Sequence, residues 1–274
     1  MTVPPPATSV HRTAWRHGRA EAGERTIPEE VPVALTYNRV TFAVMLASPS
    51  DLEDFAVGFS LTQGIVRRAG EIDELTIVPT GQGIELRMWL SPERDATMAA
   101  RRRYMAGPTG CGLCGIESLA EALPDLPHVA STASFTADEI AAAMASLPEA
   151  QELNRETHAV HGAAFWTPAR GLVAVREDVG RHNALDKLAG ALARGGIAAD
   201  DGMLLLSSRV SVELIQKAAI MGAPVLVAIS SPTALAVRQA EIAGITLIGI
   251  ARNDGFEVFT RSDRVASGAI RHVA

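Results

Sequence analysis

Two cysteines three positions apart are the most reactive side chains in this sequence. Cys111 and Cys114 lie in the glycine-rich run Gly-Cys-Gly-Leu-Cys-Gly at positions 110–115. Because glycine bends freely and leaves its neighbours uncovered, the run favours an exposed loop. A thiolate attacks sulfur and can carry a sulfane sulfur as a persulfide. The pair therefore predicts redox or sulfur-transfer chemistry, half of a metal site, or a packed turn without a chemical role.

A second group of reactive side chains spans positions 177–187, Glu-Asp-Val-Gly-Arg-His-Asn-Ala-Leu-Asp-Lys. It follows a predicted strand, Leu172–Arg176, and leads into a predicted helix, Ala184–Leu192. Free backbone N–H groups at a helix start suit a phosphate, which basic side chains would also attract. The alternative is a capped helix with solvent-exposed ion pairs. The candidate ligand-binding residues in this run are Asp178, Gly180, Arg181, His182, Asn183 and Lys187.

Three further polar segments follow predicted strands, and each is a weak signal alone. Together they predict a ligand-binding edge, because the carboxyl ends of neighbouring parallel strands meet at one edge of a sheet. Glu213 and Lys217, four positions apart on a predicted helix, are expected to form an ordinary ion pair. The candidate residues at the strand ends are Ser207, Arg209, Ser211, Ser231, Pro232, Thr233, Ile250, Ala251, Arg252, Asn253, Asp254 and Gly255.

Two histidines, His158 and His161, could complete a metal site. With Cys111 and Cys114 they would form a Cys₂His₂ set of zinc ligands. The separation between the two pairs is much longer than in a zinc finger, and nothing in the spacing fixes the geometry. A polar or packed pair of histidines is the alternative.

The elements that position these residues change character along the chain. The second half alternates short apolar strands with helices, which indicates a parallel sheet covered by helices. Its predicted elements after the first helix are strands at 203–206, 224–229 and 246–250 and helices at 212–221 and 234–243.

The first half predicts mixed, antiparallel structure. Val31–Tyr37 and Val40–Ala47 form a predicted hairpin, a helix follows Ser50-Asp51, and strands follow at 72–79 and 84–90. A loop at 104–116, a helix at 116–123 and a helix at 138–147 after Thr136 complete the prediction. We expect a disordered tail at 1–26, a smaller α+β domain at 27–130 and an α/β domain at 131–274.

Composition limits the class of protein. The chain has 274 residues, a net charge of −6 and a sequence pI of about 5.7, which argues against broad nucleic-acid binding. The two cysteines exclude a disulfide framework. No apolar run approaches the ~18 residues of a membrane span, and no secretory signal is evident. We therefore expect a cytoplasmic protein that binds neither nucleic acid nor membrane.

The motifs above occur together in one known family. They are the cysteine run at 110–115, the polar run at 177–187, Ser207–Ser211, Ser231-Pro232-Thr233 and Phe-Ala-Val-Gly-Phe at 55–59. In this order they closely resemble the FdhD family, the formate dehydrogenase accessory sulfurtransferases. The resemblance extends from about residue 30 to the C-terminus.

The resemblance implies a sulfurtransferase that receives sulfur from a cysteine desulfurase as a cysteine persulfide. Such proteins pass the sulfur to the molybdenum cofactor, bis-molybdopterin guanine dinucleotide, before it enters the formate dehydrogenase catalytic subunit. By the same resemblance, Cys111 carries the persulfide and Cys114 assists it. The strand-end residues and His161 would hold the guanine dinucleotide and its phosphates. The cofactor is thus an acceptor, and no tightly bound metal of the protein's own is expected.

The resemblance also implies a homodimer and a C-terminal, cytidine-deaminase-like layered sheet with helices on both faces. A smaller, mixed α+β part is expected N-terminal to this sheet, and the fold class expected for the whole chain is α/β. Deaminase chemistry is not expected, because Gly162 and Ala163 follow His161 where that chemistry needs His-x-Glu. The family has Thr-Gly-Gly-x-His where this chain has Thr-His-Ala-Val-His at 157–161. Two other functions stay open: a cofactor-binding chaperone without catalysis, and a zinc-binding structural protein.

Overall fold

The computed structural model describes residues 1–91, 94 and 123–266. Cys111 and Cys114 lie outside these residues, as do the predicted loop at 104–116 and all but the last residue of the helix predicted at 116–123.

The N-terminal segment forms a β-hairpin, so the expectation of a disordered tail at 1–26 is wrong. Strands β1 (Ala7–Arg16) and β2 (Arg19–Pro28) pair antiparallel along their whole length. His17 and Gly18 both have positive φ, which matches the two-residue turn that the twist of a hairpin favours. The sequence pattern does not show it because the side chains are exposed on both faces of the ribbon, Trp15 at 74% among them.

The first half is a four-stranded sheet packed on one helix, and its predicted strands are confirmed. The strand order is β4-β3-β6-β5, with α1 (Leu52–Thr62) against one face. Asn38 and Arg39 both have positive φ and form the predicted hairpin turn. Asp51 precedes α1, but its side chain makes no capping hydrogen bond to a described residue. The strands are β3 (Val31–Tyr37), β4 (Val40–Ala47), β5 (Ile72–Thr80) and β6 (Gly83–Leu90).

The second half contains a six-stranded sheet of order β13-β12-β11-β10-β8-β9. Strands β10, β11 and β12 are parallel, as predicted. Strand β8, which sequence reasoning missed, lies antiparallel between β10 and β9, so the sheet is mixed. The strands are β8 (His161–Thr167), β9 (Gly171–Asp178), β10 (Met203–Leu206), β11 (Val225–Ala228), β12 (Thr246–Arg252) and β13 (Gly255–Val258).

Helices cover both faces of this sheet, which confirms the layered α/β class. Along β10, Leu204 and Leu206 face one core cluster, and Met203 and Leu205 face the other. This alternation is the period of two that a strand buried on both faces requires. One face carries α4 (Arg181–Arg194), α5 (Val212–Met221) and α6 (Ala234–Ala243); the other carries α2 (Ala137–Ala150), which follows β7 (Phe135–Thr136) and is followed by α3 (Glu152–Thr157).

The second half begins earlier than the predicted boundary at 130–131. Val129 belongs to its core cluster, and the Val129 N–H donates to the Ala243 carbonyl over 2.8 Å. Strand β7 pairs with β14 (Val265–Ala266), which ties the two ends of this half together. None of the helices in the described ranges is long and apolar enough to span a membrane.

The two halves are joined where α1 crosses α4 at two glycines. A Cβ built on Gly58 would lie 1.7 Å from the Asp186 carbonyl oxygen, and one on Gly190 would lie 1.8 Å from the Asp54 carbonyl oxygen. Any side chain at either position would therefore push the two helix backbones apart.

His158 occupies a backbone conformation that favours glycine. It follows α3 with φ 55° and donates its N–H to the Asn154 carbonyl over 2.8 Å. Left-handed backbone costs a non-glycine residue about 1 kcal/mol. We expect His158→Gly to raise the free energy of unfolding by about 0.5–1 kcal/mol in urea denaturation. His158→Ala keeps the Cβ and should bring no such gain; equal stability of the two variants would contradict the prediction.

Candidate functional site

The sheet topology brings the candidate strand ends to one edge. Strand β8 begins at His161, opposite Asp178 at the end of β9, and the Ser207 N–H donates to the Gly162 carbonyl over 3.0 Å. Because β10, β11 and β12 are parallel, their carboxyl ends share the edge at which β8 begins. We call this the polar edge: His161, Arg181, His182, Ser207–Ser211, Ser230–Thr233 and Ile250–Gly255.

Within the polar run at 177–187, the carboxylate of Asp178 accepts several hydrogen bonds at the interface between the two halves. Asp178 is fully buried and accepts hydrogen bonds from the Ser48 N–H (2.9 Å), the Gly180 N–H (2.7 Å) and Asn183 Nδ2 (2.9 Å). Lys187 Nζ lies 2.7 Å from Asp178 Oδ2 and donates to the Ser48 carbonyl over 2.9 Å. These side chains bind the chain itself, and their contact with a ligand remains a prediction.

A second buried ion pair replaces the one expected within α5. Lys217 Nζ lies 2.6 Å from Asp186 Oδ1 on α4, and Thr62 donates its hydroxyl to the same oxygen over 2.5 Å. Glu213 Oε2 instead lies 2.9 Å from His182 Nε2. The expected Glu213–Lys217 pair is therefore wrong: each side chain turns to α4, because burial favours partners across the helix interface over partners on one helix.

Arg181 and His182 are the members of the run that retain unused polar atoms. Among the described residues, Arg181 Nε and His182 Nδ1 are buried without hydrogen-bond partners, and so are Ser211 Oγ and Glu213 Oε1. Buried polar atoms in folded proteins are nearly always paired. Arg181 and Ser211 also lie at the starts of α4 and α5, whose first N–H groups favour an anion. This cluster is therefore the best candidate for a binding site.

His161 lies in a positive environment at the same edge. Burial lowers the pKa of His161 below 6.5, and the charges of Arg181, Arg209 and His182 lower it further, against an opposing effect of Asp178. At neutral pH the imidazole is therefore neutral, and one nitrogen donates while the other accepts. The electrostatic environment is that of a site for an anion.

This shift has a consequence for stability. The unfolded chain takes up a proton at His161 near pH 6.5, before the folded chain does, so His161 destabilises the fold as the pH falls below 6.5. We expect the melting temperature of His161→Gln to fall less than that of the wild type when the pH is lowered from about 7 to about 5.5. Replacing the exposed His17 by Gln serves as the control. Parallel melting curves for H161Q and the wild type over this range would contradict the prediction.

The other strand-end residues have mixed roles. Ser207 Oγ accepts the Gly162 N–H over 2.7 Å, and Thr233 Oγ1 caps α6 by accepting the Ala236 N–H over 3.2 Å. Arg209 and Ser231 are exposed, and Pro232 pairs with Val210 in a parallel bridge. Arg252–Gly255 form the turn between β12 and β13, of which Asn253 and Asp254 are the exposed corner.

Ile250, next to the buried Ala251, has the least favourable backbone at this edge. Its φ is 52°, in the left-handed region, which is rare for a β-branched residue. Such strain costs about 1–3 kcal/mol and is concentrated at functional sites. The Ile250 N–H points to the Ser230 carbonyl at 3.4 Å, so the strained residue connects two of the strand ends.

The zinc hypothesis depends on residues that the structure does not describe. Over 1–91, 94 and 123–266, no three or more His, Cys, Asp or Glu side chains form a group suited to a metal ion. Cys111 and Cys114 lie outside these residues.

Fold and candidate site together define a layered α/β protein with a polar edge whose buried, unpartnered polar atoms suit a ligand. Residues 28–266 match the model of the FdhD/NarQ family, and the chain belongs to this family. It is 55% identical over 257 residues to the sulfur carrier protein FdhD of Agrobacterium fabrum, covering 93% of this chain and 95% of that protein. It is 52% identical over 266 residues to the sulfur carrier protein FdhD of Brucella abortus, with coverages of 97% and 99%.

A solved structure shares the fold. The crystal structure of a protein from Desulfotalea psychrophila, assigned as a formate dehydrogenase accessory protein, superposes with a TM-score of 0.75. The match covers 96% of this chain and all of that chain at 24% identity.

Glu213 is the member of the candidate site that sequence reasoning missed. Its spacing to Lys217 suggested an ordinary pair on one helix surface. The available signal was its place two residues after Ser211, in the first turn of a helix that starts at the predicted edge.

Proposed function

We propose that this chain is a sulfurtransferase that loads sulfur on Cys111 as a persulfide and delivers it to the molybdenum cofactor. The sulfur donor is a cysteine desulfurase, and the acceptor is bis-molybdopterin guanine dinucleotide destined for formate dehydrogenase. One observation carries the proposal: the buried, unpartnered polar atoms of the polar edge, in a chain whose two cysteines form one glycine-flanked C-x-x-C. The names of the relatives support the same role.

The loading step is a thiolate exchange. The Cys111 thiolate attacks the outer sulfur of the persulfide on the desulfurase, forming the new S–S bond and releasing the donor cysteine as a thiolate. The number of electrons is conserved, so loading needs no oxidant.

The delivery step uses the second cysteine. The Cys114 thiolate attacks Cys111 Sγ, forms a disulfide and expels the outer sulfur as sulfide, which the acceptor takes. Disulfide formation gives two electrons to the outer sulfur, which leaves as sulfide, so the two cysteines are left oxidised. A cellular dithiol must therefore reduce the disulfide before the next cycle.

The polar edge holds the acceptor. Arg181, Arg209 and the starts of α4 and α5 attract the phosphates, and the neutral His161 adds one donor and one acceptor. The buried Asp178 and Lys187 keep α4 in register with the first half and so position Arg181 and His182. Like its function, the protein's cytoplasmic location and homodimeric state are proposals.

The decisive experiment is detection of the persulfide. The purified protein is incubated with a cysteine desulfurase and cysteine, alkylated, and analysed by peptide mass spectrometry. We expect one additional sulfur on the peptide that contains Cys111. A chain that binds the cofactor but never gains sulfur would instead be a non-catalytic chaperone, and the proposal would fall.

A further inference from the structure

A buried glutamate lies among the cationic groups of the polar edge. Glu213 is 8% exposed, its Oε2 is close to His182, and its Oε1 has no hydrogen-bond partner among the described residues. Glu213 Oε2 lies 2.9 Å from His182 Nε2, and no described group donates a hydrogen bond to Oε1. A buried carboxylate oxygen without a donor is costly, so a bound ligand that supplies one is favoured.

An anion alone does not fit this position. Arg181 and Arg209 suit phosphate groups, but a carboxylate beside them would repel any phosphate placed against it. A carboxylate accepts hydrogen bonds and cannot donate them when ionised. Glu213 therefore suits a part of the ligand that is neutral and carries N–H donors.

We propose that Glu213 recognises the 2-amino-4-oxo pyrimidine edge of the cargo, in which a ring N–H and an exocyclic amine point the same way. This edge is present in guanine and in pterin, and one carboxylate accepts both donors. The inference rests on the proposed function, because the molybdopterin guanine dinucleotide carries the edge at each end. Glu213 is then a specificity-determining residue, while the cationic side chains bind phosphate without regard to the base.

The test compares three nucleoside diphosphates by isothermal titration calorimetry at one salt concentration. Guanosine diphosphate carries the complete edge, inosine diphosphate lacks the exocyclic amine, and adenosine diphosphate lacks both donors. We expect the wild type to bind guanosine diphosphate about tenfold more tightly than inosine diphosphate. In Glu213→Gln this preference should fall to within about threefold, with the affinity for adenosine diphosphate unchanged.

A pterin distinguishes the two sources of the edge. If neopterin binds to the wild type and Glu213→Gln abolishes this binding while leaving guanosine diphosphate unaffected, Glu213 recognises the pterin end. Loss of the guanine preference assigns the guanine end. Both results support the proposal.

Arg181→Gln is the matched control, because it removes a charge from the same edge. This variant should weaken the binding of all three nucleotides by the same factor. If Glu213→Gln weakens all three nucleotides by the same factor, or changes the binding of neither nucleotides nor neopterin, the specificity role is overturned while the proposed function stands. If the wild type binds neither nucleotide nor pterin, both proposals fall. Far-UV circular dichroism and melting temperature establish that each variant is folded.

Discussion

Cys111→Ala is expected to abolish persulfide loading and to reduce activation of formate dehydrogenase to the level seen without the protein. The physical reason is that only a thiolate can accept the outer sulfur, and alanine offers no atom that bonds to it. The measurement combines peptide mass spectrometry after incubation with a desulfurase and a formate dehydrogenase assay in cells that produce the variant in place of the wild type.

Cys114→Ala is the matched control, since it removes the other thiol of the same C-x-x-C pair. It should still gain sulfur on Cys111, because loading needs one thiolate, but release it slowly, because no second thiol expels the sulfide. Full activation by Cys111→Ala would contradict the assignment of the carrier. Equal loss of loading in both variants would show that the two thiols act together.

The strands and helices of the second half were predictable because their residues carry the local signal. Met203–Leu206, Val212–Met221 and Ala234–Ala243 have the predicted bounds: short apolar strands and helices with helical spacing show their period directly. Strand β8 was not predictable in this way. In the sequence, the segment His161–Thr167 draws attention for its histidine as a possible ligand and not as a strand. Its antiparallel position depends on pairing with β10, which is distant in sequence, as well as with β9.

The position of the candidate site in the fold was predictable, but the contacts of its individual residues were not. Topology alone brings strand ends to one edge, so the polar segments assemble as expected. Burial then decides which side chains remain for a ligand. Asp178, Asn183 and Lys187 look like binding residues in the sequence, yet each makes a hydrogen bond to the first half, at Ser48 or Leu46. Glu213 looked like a surface residue and is buried.

Gly58→Ala is expected to lower the free energy of unfolding by roughly 2–3 kcal/mol, which corresponds to a fall of roughly 5–10 °C in melting temperature. The added Cβ would lie 1.7 Å from the Asp186 carbonyl oxygen and 2.6 Å from the Gly190 amide nitrogen. Both are backbone atoms, so no rotamer change relieves the overlap, and α1 and α4 must separate. Thermal and urea denaturation measure the effect.

Gly70→Ala separates this overlap from the general effect of replacing glycine. Gly70 is exposed, and a Cβ built there meets no atom within 4 Å, so this variant should match the wild type in stability. Wild-type stability in Gly58→Ala would show that the helices can separate without cost. Because α4 carries Arg181 and His182 at its first turn, the separation should also weaken nucleotide binding at temperatures where Gly58→Ala is folded. The glycine in Phe-Ala-Val-Gly-Phe would then serve the polar edge through the position of α4, although it touches no ligand.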